Sequence, residues 1–261
     1  MKDKGSILQF QGNLGYGQRA GFEATAAAIA RAKENGLCMY TIANCCHLGR
    51  IGTYGEMAAD AGMVSIHFVN VNQYHPLVAP YCGSEARFGT NPFCVAMPGT
   101  DKYGMFVLDF ATSIVALGKT RVAMLAGKKF DEPVIVDPEG RLTNDPNVMW
   151  QENPGALLAF AKHKGSGLCF ACELMAGILS GGETIQPAHP RNDSIVNNMT
   201  AFVIDPAALC DLTFMRSEME AMIDYVKSSH AADPVNNPVL MPGEPDRKST
   251  RLNSSHIPIS Y

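Results

Sequence analysis

Several function classes are excluded by what the sequence lacks. No apolar run reaches the roughly 18 residues that a membrane-spanning helix needs. The charged start Met1-Lys2-Asp3-Lys4-Gly5 leads into no apolar stretch of secretory-signal length. Positive charge is not in excess: 21 Lys and Arg stand against 25 Asp and Glu, a formal net charge of -4. The electrostatic footprint of a nucleic-acid binder is therefore missing. The expectation is a cytoplasmic protein with neither nucleic acid nor membrane among its partners.

Signatures of nucleotide and hydrolase chemistry are missing too. No Gly-x-Gly-x-x-Gly follows a strand and opens a helix, so the Rossmann phosphate fingerprint is absent. Gly12-x-x-Gly15-x-Gly17 has the reverse spacing and reads as a loop. Gly118-Lys119-Thr120 looks like the end of a P-loop, but Ser113 stands where its first glycine belongs. No zincin, nucleophile-elbow or EF-hand pattern occurs.

What is present is ordinary globular composition: 261 residues, 46% hydrophobic and 18% charged. That length allows one large domain or two small ones. The eight cysteines sit mostly inside apolar runs, as expected of reduced thiols used as small hydrophobes. Cys169 and Cys172 have metal-pair spacing, but no second pair accompanies them. At i and i+3 of a helix they share one face and read as core.

Periodicity alternates between helix and strand, which argues for an α/β layered fold. An Ala-rich helix is expected over 20–34, with Phe22, Ala26, Ile29 and Ala30 on its apolar face, then a buried strand over 37–43. A helix over 54–61 and a strand over 63–69 repeat the form. Residues 70–89 read as loop, and 93–97 and 105–110 as strands. Thr112-Ser113 is placed to cap a helix running to about 126. Residues 134–136 form a short strand, 167–179 a strongly apolar helix, 200–204 a strand and 211–226 an amphipathic helix.

Three segments carry candidate chemistry. His47, in Asn44-Cys45-Cys46-His47-Leu48-Gly49, follows a buried strand and precedes a helix. Ligands collect at the carboxyl ends of strands in open α/β sheets, and an imidazole there can donate and accept protons. Asp109 heads a similar strand end with Phe110, Ala111, Thr112 and Ser113, suited to bonding ligand hydroxyls beside a helix start. His163, Lys164 and Gly165 precede the apolar helix, where a lysine beside glycines suits an anion. A metal-assisted site built from Cys45, Cys46, His47 and the Cys169/Cys172 pair is a further option.

In order and spacing these segments resemble the malate/L-lactate dehydrogenase family of nicotinamide-dependent, non-Rossmann oxidoreductases, most of all its hydroxycarboxylate dehydrogenase branch. The resembling residues include Asn44 to Gly49, Val78-Ala79-Pro80, Glu85-Ala86-Arg87-Phe88-Gly89-Thr90-Asn91-Pro92 and Leu108 to Ser113 with Gly118-Lys119. They continue with Thr143-Asn144-Asp145-Pro146, His163-Lys164-Gly165-Ser166-Gly167-Leu168, Glu173-Leu174-Met175-Ala176-Gly177 and Pro242-Gly243-Glu244-Pro245. Together they cover nearly all of residues 10 to 245.

The resemblance implies interconversion of a 2-oxo acid and a 2-hydroxy acid by hydride transfer, with NAD or NADP as cofactor. It implies a three-layer α/β/α fold with a mixed sheet, and a homodimer with its active site near the interface. It makes His47 the proton donor and acceptor. Asp109, Phe110, Ala111 and Thr112 become a cofactor-contact strand end, Lys164 with His163 and Gly165 a second contact, and Gly243 and Glu244 a C-terminal cofactor loop. The alternative on the same scaffold is a non-catalytic nucleotide-binding protein.

The expected organisation is a central NAD(P)-binding domain over 1–205, a C-terminal helical segment and cofactor loop over 206–245, and a non-native tail over 246–261. Back-translated, Asp246 to His256 resembles a sequencing adapter. The family's Ser-His-Gly helix and carboxylate-binding arginine do not occur before Gly12, and its closing helix does not follow Pro245. The expectation is therefore a fragment shortened at both ends, with most of the helical substrate part missing. Arg50 is the one nearby cation for a substrate carboxylate, and Arg87 reads as structural.

Overall fold

Residues 2–233 and 237–244 are described by the computed structural model, so the adapter-like tail and Pro245 lie outside the described residues. The first helix, α1 (Gly17–Asn35), buries Ala24, Ala28 and Ala32, spaced at four so that small side chains line one face. It ends at Gly36, whose φ of 77° lets its N–H reach the Ala32 carbonyl at 2.7 Å. The buried face differs from the expected one: Phe22, Ala26 and Ala30 are exposed, and Gly21, Ala24, Thr25, Ala28 and Ala32 face inward. Small residues win because the helix lies close to its neighbours. A Cβ on Gly21 would meet the Tyr54 ring at 2.3 Å.

Among the described residues there are ten strands. In chain order they are β1 (Lys2–Asp3), β2 (Ile7–Gln11), β3 (Leu37–Cys46), β4 (Val64–Asn72), β5 (Phe93–Met97), β6 (Phe106–Phe110), β7 (Ile135–Val136), β8 (Leu142–Thr143), β9 (Ala156–Leu157) and β10 (Val196–Ile204). The other helices are α2 (Gly52–Asp60), α3 (Leu117–Leu125), α4 (His163–Ser180) and α5 (Leu212–Lys227). The main sheet has the order β1-β2-β3-β10-β4-β5-β6, with β2 and β3 parallel and the other pairs antiparallel. A small sheet, β8-β7-β9, carries its own core of Val78, Ile135, Met149 and Leu157. None of the described helices is long and apolar enough to cross a membrane.

Register shows that helices cover both faces of the main sheet. Tyr40, Ala201, His67, Cys94 and Asp109 form one row across β3, β10, β4, β5 and β6. The Tyr40 hydroxyl lies 2.8 Å from the Thr25 hydroxyl of α1, so this row faces α1 and α2. The next row, Thr41, Thr200, Phe68, Phe93 and Phe110, faces the other way, where Thr200 donates to the Met175 carbonyl of α4 at 2.7 Å. The fold is thus a three-layer α/β/α arrangement around a mixed sheet, as expected.

Two helix starts differ from expectation. Thr112 and Ser113 do not cap a helix, since α3 begins at Leu117. The Thr112 hydroxyl donates instead to the Thr90 and Asn91 carbonyls, and Ser113 bridges to Ala159. Tertiary acceptors outcompete the local cap. In the other direction, His163, Lys164 and Gly165 form the first turn of α4 rather than a loop before it. Gly165 is needed there, because a Cβ would meet the Phe160 carbonyl oxygen at 1.8 Å.

Candidate active site at the carboxyl ends of three strands

Four antiparallel pairings in succession leave β3, β4 and β6 pointing the same way. The chain leaving β3 carries His47, and the chain leaving β6 carries Ala111 and Thr112. His47 is exposed, and its Nδ1 accepts the Gly49 N–H at 2.9 Å. With Nδ1 occupied as acceptor, the ring proton sits on Nε2, which becomes the donor presented outward. Neighbouring backbone is pinned: Leu48 N donates to Asn197 Oδ1 at 2.9 Å, and the Tyr54 hydroxyl donates to the Leu48 carbonyl at 2.6 Å. A Cβ on Gly17 would meet the Cys46 carbonyl oxygen at 2.0 Å, so the start of α1 also abuts this loop.

Residues 47–51 then run toward β6. Gly52 N, at the start of α2, donates to Asp109 Oδ2 at 2.7 Å. Arg50 pairs with Glu56 at 2.9 Å and lies 3.8 Å from Asp109. The structure therefore joins the His47 loop to the Asp109 strand end, which sequence spacing alone did not require. It also engages Arg50 with two carboxylates. Arg87 pairs with Glu85 and donates to the Ala86 carbonyl, in keeping with a structural role.

Residues 240–243 lie along the edge of β6, with Val107 N donating to the Pro242 carbonyl at 3.3 Å. Between them is a groove of about 350 Å³ lined by Val107, Leu108, Asp109 and residues 240–243. Gly243, at φ 91°, sits in this groove beside Asp109. Glu244 does not line it: its carboxylate accepts from Lys227 of α5 at 2.6 Å and from Met241 N at 2.8 Å, which ties the loop to α5.

The segment entering α4 meets the far side of the same strand end. Phe160 N donates to the Thr112 carbonyl at 3.0 Å, and the Phe110 and Phe160 rings lie 5.1 Å apart. Ala161 and Lys162 then take positive φ values of 46° and 56°, a strained pair that turns the chain into the helix. Lys164 is exposed on the first turn, and His163 stacks edge-on against Tyr81 at 5.8 Å. No side chain caps this helix start.

The residues that could hold a nicotinamide dinucleotide are Asp109, whose carboxylate could accept from ribose hydroxyls, Gly243, where backbone could approach closely, and Lys164, whose charge at an uncapped helix start could face a pyrophosphate. Cys45, Cys169 and Cys172 are buried, and burial pushes each thiol up to about 12. Among the described residues no three His, Cys, Asp or Glu side chains cluster as a metal site.

Sequence reasoning passed over a buried polar cluster beneath these loops: Glu173 of α4 with Asn70, Asn91, Asn197 and Asn198. Its signal was available as asparagines clustered just after one expected strand and just before another.

Comparison with known proteins adds to this geometry. A family model described as malate/L-lactate dehydrogenase matches residues 1–260. An L-lactate dehydrogenase of Cupriavidus necator is 42% identical over 242 residues, 93% of this chain and 69% of that protein. Hydroxycarboxylate dehydrogenase B of Escherichia coli is 41% identical over 246 residues, covering 94% of this chain and 67% of its own length. An E. coli structure described as a candidate malate/lactate dehydrogenase superposes with a TM-score of 0.92 at 39% identity, over 99% of this chain and 72% of that one. The sulfolactate dehydrogenase structure from Methanocaldococcus jannaschii superposes with a TM-score of 0.83 at 29% identity, over 99% of this chain and 73% of that one.

Proposed function

The chain belongs to the malate/L-lactate dehydrogenase family, and from that premise we propose that it interconverts a 2-oxo acid and a 2-hydroxy acid with NAD or NADP, His47 serving as proton donor and acceptor. The observation that carries the site assignment is the bond from Gly52 N to Asp109 Oδ2, which couples the His47 loop to the strand end of β6.

Asp109, Phe110, Ala111 and Thr112, the first turn of α4 with His163, Lys164 and Gly165, and Gly243 are the residues that would hold the cofactor. Glu244 contributes indirectly, by anchoring that loop to Lys227. The nicotinamide, when bound, supplies or removes a hydride at the substrate carbon. The chain's own task is the proton. Reduction leaves negative charge on the former carbonyl oxygen, and the His47 imidazolium would neutralise it by giving up its Nε2 proton, leaving a neutral ring with its proton on Nδ1. In the oxidative direction Nε2 of that neutral ring takes the hydroxyl proton. The Gly49 N–H contact at Nδ1 belongs to the ring with its proton on Nε2 and is released when Nδ1 is protonated.

A homodimer belongs to the same proposal. It is supported by an exposed apolar stripe on α4, where Phe170, Leu174 and Ile178 follow one another at four-residue spacing.

The test is an assay of NADH and NADPH oxidation against a panel of 2-oxo acids, with His47→Ala beside the parent chain. Turnover with at least one 2-oxo acid is expected. The substitution should lower kcat by about 10²–10⁴-fold and leave NADH affinity nearly unchanged. Equal loss of kcat and cofactor affinity would remove the acid–base role. NADH binding without turnover on any 2-oxo acid would favour the non-catalytic reading.

A further inference from the structure

We propose that Glu173 is a positioning residue: through a buried chain of asparagines it fixes the His47 loop against the strand end that carries Thr112. This rests on the functional reading above and deepens it, by naming what holds the proton donor and the cofactor-side residues in register.

Glu173 is only 3% exposed and lies in α4, on the face that packs against β4 and β10. Its Oε1 accepts from Asn70 Nδ2 at 2.9 Å and from Ile185 N at 2.8 Å, and its Oε2 accepts from Asn91 Nδ2 at 2.7 Å. Two branches leave this carboxylate. On the Asn70 branch, Asn198 Nδ2 donates to Asn70 Oδ1 at 2.9 Å, while Asn198 Oδ1 accepts from Asn44 N at 2.8 Å. Asn197 Nδ2 donates to the Asn70 carbonyl at 2.9 Å, while Asn197 Oδ1 accepts from Leu48 N at 2.9 Å. The amides on either side of Cys45-Cys46-His47 are thus both held by this branch. Asn44 itself has a φ of 54°, a left-handed turn that the Asn198 bond helps retain.

On the Asn91 branch, Asn91 Nδ2 also donates to the Cys169 carbonyl at 3.2 Å, and the Asn91 carbonyl accepts the Thr112 hydroxyl at 3.0 Å. Thr112 in turn bonds the segment entering α4 through Phe160 N. One side chain therefore joins the proton-donor loop, the β6 strand end and α4.

The chemistry requires a carboxylate rather than an amide. All three groups facing Glu173 are N–H donors, and only an ionised carboxylate accepts at both oxygens. Burial pushes its pKa up, and the three donors pull the other way. A glutamine would turn an NH₂ toward a donor and leave one branch broken. The structure also indicates a partly compensating change, since Asn91→Asp would offer an acceptor to that NH₂ while giving up the bond to the Cys169 carbonyl.

The experiment compares the parent chain, Glu173→Gln and Glu173→Gln/Asn91→Asp by hydrogen exchange and by steady-state kinetics. In Glu173→Gln, faster exchange is expected at the amides of Asn44 and Leu48, with unchanged exchange in α1. A fall in kcat of roughly 10- to 100-fold is expected from the displaced loop, with the KM for the 2-oxo acid nearly unchanged. The double variant should recover both in part. Unchanged exchange at Asn44 and Leu48, or a kcat equal to the parent's, would overturn the proposal. If Glu173→Gln does not accumulate as folded protein, Asn70→Ser carries the same readouts at the next link, with the same expected and overturning results. A parent chain that turns over no 2-oxo acid would count against the functional reading alone, because the exchange arm still decides whether Glu173 holds the loop.

Discussion

The two faces of the main sheet are built from different chemistry. The face toward α1 and α2 is dry: Tyr40, Ile42, Met199, Ala201 and Val203 pack against Ala24, Ala28 and Ala32 in a single apolar core. The face toward α4 holds Thr41, Asn70, Asn198 and Thr200 together with Glu173, all buried and mostly bonded to one another or to α4. Apolar burial is non-directional and supplies stability. Buried hydrogen bonds add little net energy but demand one geometry. The first face therefore sets how firmly the sheet is held, and the second sets where its outgoing loops are placed.

That division can be broken by substitution. Truncating the dry face with Ile42→Ala should cost about 2–5 kcal/mol of stability. Because the proposed site lies on loops beyond the strand, kcat per folded molecule should stay within about twofold of the parent. Denaturant melts paired with active-site titration check this. A large kcat loss at unchanged stability would mean that the dry face also positions the loops.

Acid should find the dry face's titratable weak point. His67 is fully buried in that face, its Nε2 is 3.1 Å from the Ser65 hydroxyl and its Nδ1 has no partner. Burial pushes its pKa down to about 3. In the unfolded chain histidine titrates near 6.5, so between about 6.5 and 3 the unfolded state binds one more proton. Stability should therefore fall as pH drops below about 6.5, by about 1.4 kcal/mol per pH unit from this group. His67→Asn should flatten that part of the profile in urea melts taken from pH 7 to 4. A variant profile parallel to the parent's would remove His67 as the cause.

The smallest effect sharpens the comparison from the polar side. The Thr41 hydroxyl is buried without a partner on the α4 face. Thr41→Val removes that unsatisfied group at nearly constant shape and should be neutral or stabilising by about 1 kcal/mol. A clear loss of stability would show that Thr41 belongs to the bonded network after all.

What could be read from the sequence follows the same division. The strand ending before His47, the helix after it, strand 93–97 and the amphipathic α5 were legible, because each is signalled within a short window. The polar face was not. The strand expected over 63–69 in fact continues through Asn70 and Asn72, and the strand expected from 200 in fact begins at Val196 and includes Asn197 and Asn198. Asparagine is depleted in strands, so both were cut short where the buried network begins. The partners that make these asparagines tolerable are distant in sequence, as Glu173 is from Asn70. β2 was missed as well: five residues that pair in parallel with β3 leave little periodic signal. The expected helix cap at Thr112 failed for a related reason, since its acceptors belong to Thr90 and Asn91 rather than to its own helix.

At the centre of the proposed function, an imidazole at the end of β3 faces a dinucleotide seated along the strand end of β6. The most direct test is a crystal structure of the chain with NADH and a non-reactive 2-oxo acid analogue. Ribose hydroxyls are expected at Asp109, the pyrophosphate near Lys164 and the analogue's carbonyl oxygen within hydrogen-bond reach of His47 Nε2. A dinucleotide bound elsewhere, or bound there with His47 remote from the carbonyl in every protomer, would contradict it.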